Sequence, residues 1–354
     1  MSSDLDVIAF YLPQFHPIPE NDAAHGTGFT EWTNVCTTAP LFPGHVQPKL
    51  PRDLGFYDLR VPETREAQAE MARAHGLSGF CYWHYWMGGG RRLLERPFDE
   101  VLLSGRPNFP FALGWANHSW SGKGWMGGGG ATDIEQTYPG EDDIRGHYQF
   151  LRRAFSDHRY ICINEKPLLV VYRPMEIPNC KVHLEFLREL AAKDGFRDLF
   201  IVGDSPGDCG ALGIDAKLHS GQRHLPTDIW DAPSPTDALR GRKLKKAPYA
   251  KVMEHLVPNQ FSPDVIPVVL PNWDTAPRLG EEAMIFYNLH PELFRAHVHD
   301  ALSFAAQREA GERLVFVRAW NEWAEGNYLE PDMEFGDAFL RVLGEEIARH
   351  STCA

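Results

Sequence analysis

The sequence predicts an α/β fold: a (β/α)8 TIM-type barrel, a single domain over residues 1–354 with long βα loops. Three observations carry that prediction. Short apolar runs alternate with amphipathic helical segments about eight times along the 354 residues. The runs are apolar enough for a parallel sheet covered by helices on its faces. Polar and aromatic residues recur where the runs end, which is where barrel active sites form. A doubly wound open sheet is the alternative, but no GxGxxG follows the first strand.

The elements follow in order. "VIAFYLPQFH" (7–16) opens the series as a strand. After a long loop, Pro62 starts the helix "PETREAQAEMARAH", which stops at Gly76, with proline at the first helical position and glycine just past the end. "SGFCYWHYW" is the next strand, followed by a helical stretch near 93–104 and the strand "FPFALGWAN". A helix over 141–155 leads into "KPLLVVYRP", and "VHLEFLRELAAKD" ends at Gly195 before "LFIVGDS". "IDAKLHS" is a weaker strand. A poorly patterned, proline-rich and basic insertion near 225–262 precedes "VIPVVLPNWD". The helix "PELFRAHVHDALSFAAQRE", the last strand "LVFVRAW" and the helix "FGDAFLRVLGEEIARH" close the chain.

Composition narrows the class of function. With 43% hydrophobic residues the chain can bury a large core. A formal net charge of −13 argues against a nucleic-acid partner, since such binding rests on Lys and Arg neutralising phosphates. The basic run "RGRKLKK" (240–246) reads as a solvated loop. Six scattered cysteines without a CxxC pair read as the thiols of a reducing compartment rather than disulfides or a zinc site. No basic n-region opens the chain and no apolar run is long enough to span a bilayer, so a cytoplasmic location without membrane insertion is expected.

Aromatic residues gather beside polar ones in "TEW", "CYWHYW", "GWANHSW", "PNWD" and "AWNEW". Sugars have apolar C–H faces and hydroxyl rims, so an aromatic platform ringed by such groups suits an oligo- or polysaccharide. In a barrel the strand ends bring together His16, His84, Asn117, Asp204, His219, Asp274, Glu322 and Glu325. Glu322 and Glu325 are the catalytic candidates: two carboxylates crowded into a tryptophan-walled pocket titrate apart, supplying an acid and a base. A salt-bridged loop pair, with Arg318 nearby, is the plainer alternative. His84 is either a hydrogen-bonded structural histidine or a contact to substrate hydroxyls. His16, His84 and His219 show no HxH or HExxH spacing, so neither metal nor cofactor is expected. The glycine-rich "GTGFTEW" and "GGGRR" lack phosphate-loop patterns. "MGGGGA" (126–131) is a connection or a flap over the barrel mouth.

The stretches "YLPQFHPIPEND", "GTGFTEWTNV", "GFCYWHYW", "WAN", "WDTAPR" and "WNEWAEGNYLEPD" resemble the WbsX-type proteins, a group related to glycoside hydrolase family 99 and often described as polysaccharide-biosynthesis glycosyltransferases. The resemblance runs from about residue 7 to 340. Family 99 enzymes are (β/α)8 endo-α-mannosidases and endo-α-mannanases with an NEWxEG motif, here Asn321–Gly326. The resemblance implies that Glu322 is the base on the sugar 2-hydroxyl, closing a 1,2-anhydro sugar, while Glu325 protonates the leaving group and then activates water. Two positions depart from the pattern. His118 stands where relatives carry glutamate after "WAN", and "WDTAPR" replaces a W-D-N-T run, so the relatives' sugar specificity is not carried over.

The expected protein is thus a retaining glycoside hydrolase acting on an α-linked glycan. Its expected substrate contacts are His16, Trp32, His84, Trp86, Trp115, Asn117, Trp273, Asp274, Trp320, Asn321 and Tyr328. A glycosyltransferase of O-antigen or capsule assembly and a non-catalytic glycan-binding barrel are the alternatives.

Overall fold

Each apolar run becomes a strand of one ring. The computed structural model describes residues 5–120, 134–204 and 207–352. Its eight parallel barrel strands are β1 (Asp6–Tyr11), β2 (Gly79–Trp86), β3 (Phe111–Trp115) and β4 (Lys166–Val171). They continue with β5 (Phe200–Gly203), β6 (Ala216–His219), β7 (Val265–Val269) and β8 (Leu314–Val317). Sequence neighbours pair in parallel, and β1 pairs with both β2 and β8, which closes the barrel. The glycine-rich stretch 126–131 lies outside the described residues.

Long helices at Pro62–Ala74, Arg96–Ser104, Glu141–Phe155, Cys180–Lys193, Pro291–Ala305 and Ala338–Thr352 follow the predicted segments closely. The alternation is less regular after β5, where a single turn (Cys209–Leu212) replaces a full helix. The insertion near 225–262 contributes a strand, Lys245–Pro248, paired in parallel with Met284–Tyr287. Ile229, Tyr249, Val252 and Leu256 pack there against Leu270 and Phe286. Part of the basic run is engaged within the fold: Arg242 pairs with Glu281 at 2.7 Å, and the Lys246 ammonium lies 4.7 Å from the centre of the Phe42 ring.

Strand alternation sorts side chains between lumen and helix layer. Phe10, Trp83 and Phe316 share the lumen, Phe10 stacking on Trp83 at 4.5 Å and on Phe316 at 5.1 Å. The next lumen position on β3 is Gly114, where a Cβ would come within 2.9 Å of the Trp83 ring, so the indole occupies the space a side chain would need. On the opposite face, Tyr11 donates to Gln68 of helix Pro62–Ala74 at 2.6 Å.

Behind β7, the fully buried His297 of helix Pro291–Ala305 accepts the backbone N–H of Leu270 through Nε2 at 3.0 Å. Burial lowers its pKa from 6.5 to about 3, so it is neutral in the folded protein. The unfolded chain takes up this proton first. The stability His297 contributes is therefore present above pH 6.5 and lost as pH falls below it. The advantage of wild type over His297→Gln should shrink by roughly 2 kcal/mol between pH 7.5 and 5. Urea unfolding of both proteins at the two pH values checks this; an unchanged difference contradicts it.

Candidate active site

The segment after β8 folds back on itself. Asn321–Glu322 pairs antiparallel with Asn327–Tyr328, and Trp323–Glu325 makes the turn between them. Gly326 closes the turn at φ +67°, where a Cβ would come within 2.7 Å of Asp274. The hairpin is anchored to β1: Trp320 N–H donates to the Phe10 carbonyl at 2.7 Å, and the Asn321 amide bonds both N–H (2.7 Å) and carbonyl (3.0 Å) of Leu12. Trp323 stacks on Tyr328 at 3.8 Å and donates to Glu330 at 2.7 Å, while Tyr328 donates to Asp332 at 2.7 Å. The motif's aromatic and amide residues are therefore its frame, and the two glutamates are what it presents.

Glu322 and Glu325 enter a pocket at the C-terminal mouth of the barrel. Its other walls are Trp83, Tyr85, Ala116, His118, Tyr172, Arg318 and Ala319. Trp83 and Tyr172 meet edge to face at 5.5 Å. The aromatic platform thus comes from β2 and the end of β4. Burial, with the charge of Arg173, lowers His118 to about 4, so this pocket residue is a neutral imidazole.

Arg278 organises the carboxylates. Its Nη1 contacts Glu325 Oε1 at 2.5 Å, its Nη2 contacts Glu322 Oε2 at 3.0 Å, and Glu31 lies 3.3 Å from both Nε and Nη2. Glu31 is fully buried and Arg278 is 5% exposed. Burial works against the Arg278 charge, but the three carboxylates outweigh it and hold the guanidinium protonated. Arg278 by itself does not balance the buried carboxylates of Glu31 and Glu322 together with the half-buried one of Glu325. Burial pushes Glu322 up to about 8, against the pull of Arg278 and reinforced by Glu325 and Glu31. Burial also raises Glu31. A carboxyl titrating near neutrality serves in acid–base chemistry.

The "WDTAPR" stretch delivers this arginine. Asp274 N–H donates to the Glu325 carbonyl at 2.7 Å, tying the two loops together. The Asp274 carboxylate accepts from His45 Nε2 at 2.7 Å, Gln47 Nε2 at 2.6 Å and the Ala276 N–H at 3.0 Å. His45 Nδ1 accepts from the Leu41 N–H, so the Nε2 proton points at Asp274. The turn Ala276–Leu279 then carries Arg278 to the glutamates.

Of the expected site residues, only Glu322 and Glu325 line the pocket. His84, Trp86 and Trp115 face the helix layer. His84 Nε2 meets His147 Nε2 at 3.0 Å, Trp86 donates to Asp143 at 3.1 Å, and Trp115 donates to the Trp86 carbonyl at 3.0 Å. Alternation along "CYWHYW" separates these side chains from Trp83 and Tyr85, and the sequence does not say which set faces the lumen. His16 bonds the Pro13 carbonyl (2.9 Å), and Trp32 the Tyr57 carbonyl (2.9 Å). Asn117 clamps the end of β3 to the end of β4, bonding both N–H (2.8 Å) and carbonyl (2.9 Å) of Arg173. Trp273 packs beside the two-stranded sheet, and Asp274, Trp320, Asn321 and Tyr328 are framework as described. Glu31, Trp83, Tyr85, Tyr172 and Arg278 are the site residues that sequence reasoning did not single out.

His219 stacks on His224 at 5.7 Å, so His16, His84 and His219 occupy three separate environments. Among the described residues, one group has ligand atoms close enough for a metal: His299, Glu346 and His350, on the helices Pro291–Ala305 and Ala338–Thr352. Arg295 and Arg349 already pair with that Glu346, at 3.2 and 2.5 Å.

A closed (β/α)8 barrel with two glutamates and an aromatic wall at its C-terminal mouth is an arrangement suited to carbohydrate-active enzymes. The sequence model described as "Glycosyltransferase WbsX" matches residues 7–343, and the chain belongs to that family. It is 36% identical over 354 residues to the "Uncharacterized protein WxcX" of Xanthomonas campestris pv. campestris, a match covering 97% of this chain and 50% of the relative. The chain thus spans about half the length of the curated relatives it matches. Its fold is similar to the GH99 endo-alpha-mannosidase from Bacteroides thetaiotaomicron, with TM-score 0.58 and 14% identity over 99% of this chain and 100% of that one. A structure described as "Glycoside hydrolase-like protein" superposes with TM-score 0.58 at 16% identity, covering 98% of this chain and 94% of that one. No helix among the described residues is long and apolar enough to cross a membrane.

Proposed function

We propose that the chain is a retaining glycoside hydrolase acting on an α-linked glycan, with Glu322 and Glu325 as its acid–base pair. The observation that carries this reading is the shared Arg278 clamp on two glutamates in an aromatic-walled pocket. In the first step, Glu322 takes the proton of the sugar 2-hydroxyl and that oxygen attacks C1, closing a 1,2-anhydro sugar. The glycosidic bond breaks as Glu325 protonates its oxygen. In the second step, Glu325 takes a proton from water, which attacks C1 and opens the ring, and Glu322 returns its proton to the 2-oxygen. Two inversions give net retention, with no carboxylate bonded to the sugar.

Charge crowding around Arg278 leaves the pair a proton to share. In the ligand-free site burial keeps it on Glu322, so the reading requires glycan binding to move it to Glu325. A substrate lacking the 2-hydroxyl at the reacting sugar should bind without being cut. Cleavage of that 2-deoxy substrate, or trapping of a glycosyl ester on either glutamate, rules the anhydro route out.

The family description favours a second reading, glycosyl transfer from a nucleotide sugar. The sequence's one DxD triplet, residues 4–6, ends on Asp6 at the N-terminal start of β1, the end of the barrel opposite Glu322 and Glu325. Thermal stabilisation by an α-linked oligosaccharide and none by UDP-, GDP- or dTDP-sugars supports hydrolysis; the reverse pattern puts transfer ahead.

A further inference from the structure

We infer, building on the glycan-hydrolase reading, that the bound glycan carries a carboxylate-bearing sugar, whose anionic group is received at the pocket wall by Arg318 and Arg223 beside Tyr172. Arg318, 6% exposed, follows β8 and lines the pocket. Its Nη2 pairs with Asp204 at 2.5 Å, and its buried Nε has no hydrogen-bond partner among the described residues. Asp204 is shared: Arg223 Nη2 approaches the same oxygen at 3.2 Å, and Ser220 takes the other at 2.7 Å. One carboxylate therefore serves two guanidiniums.

Tyr172 links Arg223 to the pocket. It lines the pocket, and the Arg223 guanidinium carbon lies 5.3 Å from its ring centre. Arg173 lies equally near but is spoken for by Glu176 at 2.7 Å. The pocket's own glutamates are hydrogen-bonded by other groups, Arg278 holding both and Asn327 donating to the second oxygen of Glu325 at 3.2 Å, and reach Arg318 only through their charge. Two guanidiniums share one carboxylate, and Arg318 on the pocket wall together with the part-exposed Arg223 leaves a place for a second anion. A planar carboxylate matches the guanidinium fork, and a neutral hydroxyl leaves the charge uncompensated.

The test uses the full chain and α-linked oligosaccharides, each in a uronate form and in its carboxyl-reduced neutral form, with UDP-sugars as a further arm. Calorimetry should show the uronate member of a pair bound roughly tenfold or more tighter than its reduced counterpart, the scale of one charge-assisted contact. Arg223→Met should remove that preference, whereas Glu325→Gln should retain it. Equal binding of a uronate glycan and its reduced form overturns the anionic-sugar inference and leaves the glycan reading standing. A UDP-sugar bound in an Arg223-dependent way overturns the inference in favour of a phosphate ligand. Failure of every pair in both forms overturns the inference together with the glycan reading beneath it.

Discussion

Glu325→Gln and Glu322→Gln are each expected to lower turnover by roughly 10² to 10⁴, the usual cost of losing a positioned acid or base. Both changes keep the side-chain shape and remove one negative charge. Arg278 retains two carboxylate partners in either variant, so fold and glycan binding should persist. Steady-state kinetics and thermal melts on the two variants check this. Near-normal activity in either one removes that glutamate from the chemistry.

Arg278→Met should be the most damaging substitution for stability. It leaves Glu31, Glu322 and Glu325 crowded together without the cation that now contacts all three. Breaking a buried ion pair by removing one partner costs on the order of 3–5 kcal/mol. Glu31 and Glu322, already raised by burial, would then hold their protons still more tightly in the folded state than in the unfolded one. The folded state is least penalised at low pH, where these two are protonated, and the penalty grows as pH rises through their raised values. Urea unfolding should therefore show the variant far less stable than wild type at pH 8 and closer to it at pH 5. Equal stability at pH 8 contradicts the clamp.

The barrel was legible because most buried strands are short apolar runs, Ala216–His219 being the weak one, and the long helices begin and end near proline and glycine signals. Pro62 and Gly76 bracket their helix as the sequence suggests, and β8 is the first four residues of the predicted strand "LVFVRAW". Lys245–Pro248 was not legible, since a short strand of the sequence KKAP shows neither apolar alternation nor a turn signature. Within the site, the position of the glutamate pair after the last strand was readable from the motif alone. The platform was not. "CYWHYW" places aromatics on both faces of β2, and only barrel closure decides that Trp83 and Tyr85 face inward while His84 and Trp86 pack on the helix Glu141–Phe155. Arg278 escaped for a similar reason. It reaches Glu322 and Glu325 across 44 and 47 positions of sequence, through a turn ordered by Asp274, His45 and Gln47, and no local pattern announces such a contact.

The central claim is that Glu322 and Glu325 cleave an α-glycosidic bond with retention. NMR observation of the newly formed reducing end, with a panel of α-linked polysaccharides and with wild type beside Glu325→Gln, tests it most directly. The account predicts that wild type releases an α-configured reducing end from at least one polysaccharide and that the variant releases none at the same enzyme concentration. A β-configured first product, or release that is undiminished in Glu325→Gln, would contradict it.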